Sequence, residues 1–242
     1  MSENQTHEPK PRLPMNKLLV RVLAASVMAP ITIFLILWGH APFVILITIG
    51  AFIALYEWVG LTYNDKHRLP LLAVGCFYVA LSGGSYIFMR FAFDQGAWLT
   101  LTVMVCIWAS DSAAYFTGKA FGGRKLAPLI SPNKTWSGFG GAMAGFGAML
   151  VIMFLLGVVL DSDTFHSNAH IPPTRIIPVF LAGCILGAVA QGGDLLISLL
   201  KRRVGAKDSG KLIPGHGGLL DRIDALMLAI PAFLILCMVA VR

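Results

Sequence analysis

The sequence predicts an all-α fold, a polytopic helical bundle set in a membrane. Of its 242 residues 57% are hydrophobic and only 13% are charged, whereas a soluble domain carries about 25% charged residues. Several apolar runs reach the ~20 residues that span a bilayer as helix. Backbone exposed to lipid must satisfy its own hydrogen bonds, and helices of that length do so.

About seven transmembrane segments follow in order. Residues Met1 to Asn16 are polar, with Pro9, Pro11 and Pro14, and read as a mobile cytosolic tail, 1–16. They are not a cleavable signal, because the apolar run behind them has full spanning length and lacks a small-residue cleavage site after a short core. Segment one runs from Leu18 to Trp38, two from Pro42 to Gly60, three from Leu69 to Met89 and four from Trp98 to Phe116. Segment five covers Phe139 to Leu160, six Ile176 to Leu200 and seven Leu219 to Val241. With no internal repeat or linker, 17–242 reads as a single transmembrane catalytic domain with cytosolic loops at 118–137 and 201–218. Dispersed glycines such as Gly141 and Gly145 suit close helix packing in lipid.

The net charge of +7 does not point to nucleic acid, because the cations lie in short loops between apolar segments, where membrane topology explains them. With a cytosolic N-terminus, most of the 19 Lys and Arg fall inside, among them Lys119, Arg124, Lys125, Lys134, Lys201, Arg202, Arg203 and Lys207. The opposite side receives Arg90, Arg175 and Arg242, with an acidic, His-containing loop from Asp161 to Arg175. Cys76, Cys106, Cys184 and Cys237 stand singly without metal spacing and read as small buried hydrophobes.

Charge crowds into the stretch from Asp194 to Asp224. Asp194, Ser198, Lys201 and Arg202 recur at i, i+4, i+7 and i+8 and share a helix face. Gly205, Gly210, Pro214, Gly215, Gly217 and Gly218 then break the helix and let backbone amides approach a ligand. A helix restarts with Asp221 and Asp224 on one face. Carboxylates facing a Gly-rich loop with Lys and Arg suit a divalent cation and a phosphate held together.

Four acids gather toward the expected cytosolic ends of segments: Asp111 closing segment four, Asp194 late in six, Asp221 and Asp224 opening seven. Helix capping accounts for one acid in a first turn, not for four from three segments at a depth where charge needs a partner. Like charges in a half-dry pocket protonate or repel. A bound cation resolves this, and all-oxygen ligands point to Mg²⁺. His216 reads as a hydrogen-bond partner of phosphate or backbone before a metal ligand, and no His or Cys cluster suits zinc. Glu57, near the end of segment two, fits a site wall and a solvent-facing position equally. The loop from Gly118 to Trp136 mixes glycines, cations and hydroxyls, which suits phosphate, but taken alone it reads first as an ordinary positive-inside loop. Neither a Walker A loop nor a Gly-x-Ser-x-Gly elbow is present.

The run Ser198-x-Leu200-Lys201-Arg202, four residues, then Lys207-Asp208-x-Gly210-x-x-Ile213-Pro214-x-His216-Gly217-Gly218-Leu219-x-Asp221-Arg222-Ile223-Asp224 resembles the signature of the phosphatidate cytidylyltransferase, or CDP-diacylglycerol synthase, family. Two further pieces are similar to the same family: Trp108-Ala-Ser-Asp111 through Lys119, and Ser131-Pro-Asn133-Lys134-Thr135-Trp136. The resemblance spans Trp108 to Asp224.

It implies that CTP and phosphatidic acid give CDP-diacylglycerol and pyrophosphate, a step of phospholipid biosynthesis. It also implies an integral protein of a bacterial inner (plasma) membrane with its active site facing the cytosol. On this reading Asp194 and Asp221 are the foremost Mg²⁺ ligands, with Asp224 and Asp111 beside them. Lys201, Arg202, Lys207 and Arg222 neutralise phosphates. Ser131, Asn133, Lys134 and Thr135 hold CTP, and Ser198, Asp208, His216, Gly217 and Gly218 complete the substrate site. A second, monovalent cation and a homodimer are left open. The competing readings are a related CTP-dependent lipid kinase or transferase and, from another class, an ion or phosphate transporter. The transporter is disfavoured because the acids adjoin a Gly-rich loop at one face instead of the middle of the membrane.

Overall fold

The computed structural model describes residues 15–160, 173–210, 212 and 217–240. Seven α-helices lie among them: α1 (Met15–Trp38), α2 (His40–Thr62), α3 (Arg68–Ala92), α4 (Gly96–Phe121), α5 (Trp136–Leu160), α6 (Ile176–Arg203) and α7 (Leu220–Ala240). Six of them, α2 to α7, are long and apolar enough to cross a membrane, and α1 adds the shorter apolar stretch Ser26–Trp38. The chain is an integral membrane helical bundle. The tail expected over 1–16 and the acidic loop expected over 161–175 fall almost wholly outside the described residues.

One expected loop is structured. Over 118–137, α4 continues to Phe121, and then β1 (Lys125–Ala127) pairs antiparallel with β2 (Ser131–Thr135), Lys125 opposite Thr135 and Ala127 opposite Ser131. The local chemistry explains this. Gly122 and Gly123 take positive φ, 59° and 97°, which ends the helix without a Cβ penalty. Pro128 then follows Ala127 in a turn closed by Ile130 N donating to Ala127 O at 3.1 Å, a position that suits its fixed φ. Thr135 accepts from Gly138 N at 3.1 Å through Oγ1 and so caps α5.

At 26 and 28 residues, α4 and α6 exceed the ~20 that a bilayer needs. Asp111 therefore does not close its segment; it lies about three turns before the end of α4. Glycines let α4, α5, α6 and α7 meet nearly backbone to backbone. A Cβ at Gly145 would stand 3.0 Å from Ala109 O, one at Gly187 2.9 Å from Met143 Cα, and one at Gly193 2.7 Å from Asp224 O. Such small-residue contacts replace the hydrophobic drive that lipid does not supply. One buried cluster, with Phe43, Val103, Phe146 and Phe233, fills the middle of the bundle. A second, with Trp58, Tyr78, Ile197, Leu200 and Leu220, joins α2, α3 and α6 to the start of α7.

Candidate active site

The close approach of α6 and α7 at Gly193 brings Asp194 and Asp224 within side-chain hydrogen-bonding reach of each other. From the other side β2 delivers Lys134, whose Nζ lies 2.6 Å from Asp194 Oδ2 and donates to Gln191 Oε1 at 2.8 Å. Gln191 Nε2 donates in turn to Asp111 Oδ1 at 3.4 Å, and Ser198 Oγ donates to Asp194 Oδ1 at 3.2 Å. Asp111, Asp194 and Asp224 thus converge from three helices on one polar network. Gln191 is buried and was not singled out by the sequence. The available signal was an amide one turn before Asp194 in an apolar helix.

A cavity of about 730 Å³ opens beside this network between α4, the hairpin, α5 and α6, a size that suits a small-molecule ligand. Asp111, Lys119, Asn133, Lys134, Gln191 and Asp194 supply its polar wall, and Tyr115, Leu126 and Phe139 its apolar one. Thr135 also lines it, with its hydroxyl engaged in the α5 cap and 3.0 Å from Ser137 Oγ. Ser131 sits at the start of β2 opposite Ala127. Arg202 is turned to backbone, donating to Ile130 O at 3.2 Å and Ala206 O at 3.3 Å, so it straps the hairpin tip to the end of α6.

Asp221 has hydrogen-bond partners of its own, and one of them, Lys201, also acts electrostatically on Asp224. Lys201 Nζ donates to Asp221 Oδ1 at 2.6 Å, while Ser209 N (2.8 Å) and Gly218 N (3.2 Å) donate to Oδ2. The two charged side chains are 11% and 7% exposed. Local sequence explains the arrangement. Gly205 at φ 70° ends α6, with Gly205 N bonded to Arg202 O and Ala206 N to Lys201 O, the paired pattern of a left-handed C-terminal cap. Gly217 at φ 84° turns the chain back into α7. Asp221 and Asp224, expected to share a face, therefore serve different partners. Arg222 is exposed and interacts electrostatically with Asp111. Lys207 and Asp208 are exposed just beyond α6, and His216 lies outside the described residues. Arg203 makes a two-pronged ion pair with Asp65 at 2.8 and 3.2 Å. That guanidinium holds the Asp65 carboxyl below its ordinary range.

The residues fit Mg²⁺ in a particular way. This ion prefers one or two carboxylates, with waters and substrate phosphates completing its shell. Asp194 and Asp224 lie within side-chain reach of each other, a pair of carboxylates of the kind a divalent cation bridges. Beside Asp224, with which it interacts electrostatically, the buried Tyr78 hydroxyl has no hydrogen-bond partner among the described residues, a polar atom that a hydrated ion or phosphate would satisfy. Among the described residues no group of three or more His, Cys, Asp or Glu is arranged to cage a metal. The donor set thus suits a cation that arrives with phosphate.

A family model described as "Cytidylyltransferase family" matches residues 64–240. The chain belongs to that family. Among its cytidylyltransferase relatives, a Rickettsia felis protein named phosphatidate cytidylyltransferase is 36% identical over 212 residues, 88% of each chain. One of the same name from Haemophilus influenzae is 44% identical over 139 residues, 57% of this chain and 45% of that one. A Brucella suis relative, again of that name, is 42% identical over 158 residues, 65% of this chain and 53% of that one.

Proposed function

We propose that this cytidylyltransferase makes CDP-diacylglycerol and pyrophosphate from CTP and phosphatidic acid. The observation that carries the reading is the polar recess of Lys134, Asp194, Gln191 and Asp111, cut into one end of a membrane bundle where a water-soluble triphosphate and a lipid headgroup can meet.

A phosphatidate oxygen attacks the α-phosphorus of CTP; that P–O bond forms, the bond to the bridging oxygen of the β-phosphate breaks, and pyrophosphate leaves. Phosphatidate enters already ionised, so no side chain has to remove a proton. The barrier is the meeting of two polyanions, and preorganised cations lower it. Lys134 is held by Asp194 and Gln191 at the cavity wall and offers its remaining N–H to a phosphate oxygen. Asn133 and Lys119 face the same space, and Arg222 approaches from α7. Lys207, and the amide of Gly217, supply further donors at the loop. Asp194 and Asp224 would hold the proposed Mg²⁺, with Asp111 joined to them through Gln191. Bound there, Mg²⁺ would draw charge from the triphosphate.

Purified protein given labelled CTP, phosphatidic acid and Mg²⁺ is expected to place cytidine label in the extracted lipid, with one pyrophosphate released per CDP-lipid. A phosphorylated lipid with CDP left in the water would overturn this in favour of a lipid kinase. Chelation by EDTA is expected to reduce turnover to background and added Mg²⁺ to restore it; turnover that survives exhaustive chelation removes the metal. Varying K⁺ and Na⁺ at fixed Mg²⁺ tests the second, monovalent cation.

We further propose that the site faces the cytosol of a bacterial inner membrane, supported by the bias of Lys and Arg toward that end. In a cysteine-free background, Lys66→Cys in the exposed α2–α3 turn is expected to react with an impermeant maleimide only after the cells are broken. Labelling in intact cells reverses the orientation.

A further inference from the structure

Glu57, on α2, takes no part in the chemistry above. Its side chain is buried, 4% exposed. Oε2 accepts from Ser209 Oγ at 2.9 Å and Leu220 N at 2.8 Å, and Oε1 from Leu219 N at 2.9 Å. A carboxylate from a different helix therefore caps the first turn of α7, where free N–H groups and the helix dipole favour an anion. Two signature glycines press on it. A Cβ at Gly210 would lie 2.7 Å from Oε1, and one at Gly218 2.5 Å from Oε2. Neither glycine has positive φ, so their small size answers to Glu57, and at Gly218 also to the Ser209 hydroxyl that Glu57 holds, and not to a turn. Trp58 alongside fixes α2, donating to Leu71 O at 2.9 Å and packing in the cluster that contains Leu220.

Ser209 and Gly218 link the two carboxylates of this region. Ser209 gives its N–H to Asp221 and its hydroxyl to Glu57, and Gly218 gives its N–H to Asp221 and leaves no room for a Cβ beside Glu57. We propose that Glu57 is a positioning residue: it sets the signature loop and the start of α7, and through them Asp221 and Arg222, against α6. Glu57→Gln disrupts this without changing size, because either orientation of the amide turns an NH₂ toward a backbone N–H.

The inference rests on the CDP-lipid reading, so its test has a readout that needs no activity: tryptic cleavage after the exposed Lys207, followed by mass spectrometry. At equal folded amounts Glu57→Gln is expected to lower kcat about ten-fold or more with KM for CTP changed less than about three-fold, and to speed that cleavage by about ten-fold as the loop opens. Gly218→Ala is expected to do the same, and the double variant to be no worse than about the weaker single one, since both act on one contact. Ser209→Ala, which deletes one bond and no charge, shifts both readouts in the same direction by less, and decides the matter if Glu57→Gln does not fold. Unchanged cleavage with normal kcat, or a loss fully explained by a smaller folded fraction, overturns the proposal. If wild-type protein makes no CDP-lipid, the reaction is wrong and the cleavage arm still judges Glu57.

Discussion

Asp194→Asn is expected to lower CDP-lipid formation by about three orders of magnitude, roughly 4 kcal/mol of transition-state stabilisation. Asp194 is where the site's interactions meet. It receives Lys134 at 2.6 Å and Ser198 at 3.2 Å, and it faces Asp224 across the α6–α7 contact. The amide keeps shape but removes the charge that would anchor Mg²⁺ and steady Lys134. Asp111→Asn is expected to cost much less, because the hydrogen bond that joins Asp111 to the network, from Gln191, is long at 3.4 Å and the charges around it act at a distance. Turnover of both variants at equal folded amounts and saturating Mg²⁺ measures this. Near-normal turnover by Asp194→Asn would take the catalytic centre away from the recess.

Asp221→Asn is expected to lose about two orders of magnitude or more, by a different route. Asp221 and Lys201 form a nearly buried pair at 2.6 Å, and removing one partner of such a pair costs about 3–5 kcal/mol through the charge left behind. The amide also turns a donor toward Lys201, Ser209 N or Gly218 N, all of which need an acceptor. A metal ligand and a loop anchor then separate by their Mg²⁺ dependence. As an anchor, Asp221→Asn leaves the Mg²⁺ concentration for half-maximal rate unchanged and speeds cleavage after Lys207. As a ligand it raises that concentration at least about ten-fold. Arg203→Lys is the control, since it keeps the charge beside Asp65 and changes a side chain that is itself 42% exposed, where the exact ion-pair geometry contributes little.

Helix identity was legible in the sequence because hydrophobic length alone determines it. An apolar run of about 20 residues in lipid has one way to satisfy its backbone, and each run from Leu18 to Val241 has its helix. The carriers of charge were legible for the same reason: Asp111, Asp194, Asp221 and Asp224 are costly in such segments unless they have partners. Gly205 announced the end of α6, and it is the left-handed residue of the cap there. What the sequence could not determine was which charges meet, since that depends on the rotation and depth of helices distant in the chain. Helical spacing places Asp221 and Asp224 three apart, yet the α6–α7 contact at Gly193 sends Asp224 to Asp194, while Lys201 and the loop amides take Asp221. The Gly118–Ser137 stretch reads as a loop by composition, and its hairpin depends on a turn at Pro128 and on packing that brings Lys134 to Gln191. Glu57 is ambiguous as a single acid near a helix end, because only the fold of α2 against a segment some 150 residues later puts a ring of N–H and O–H donors around it.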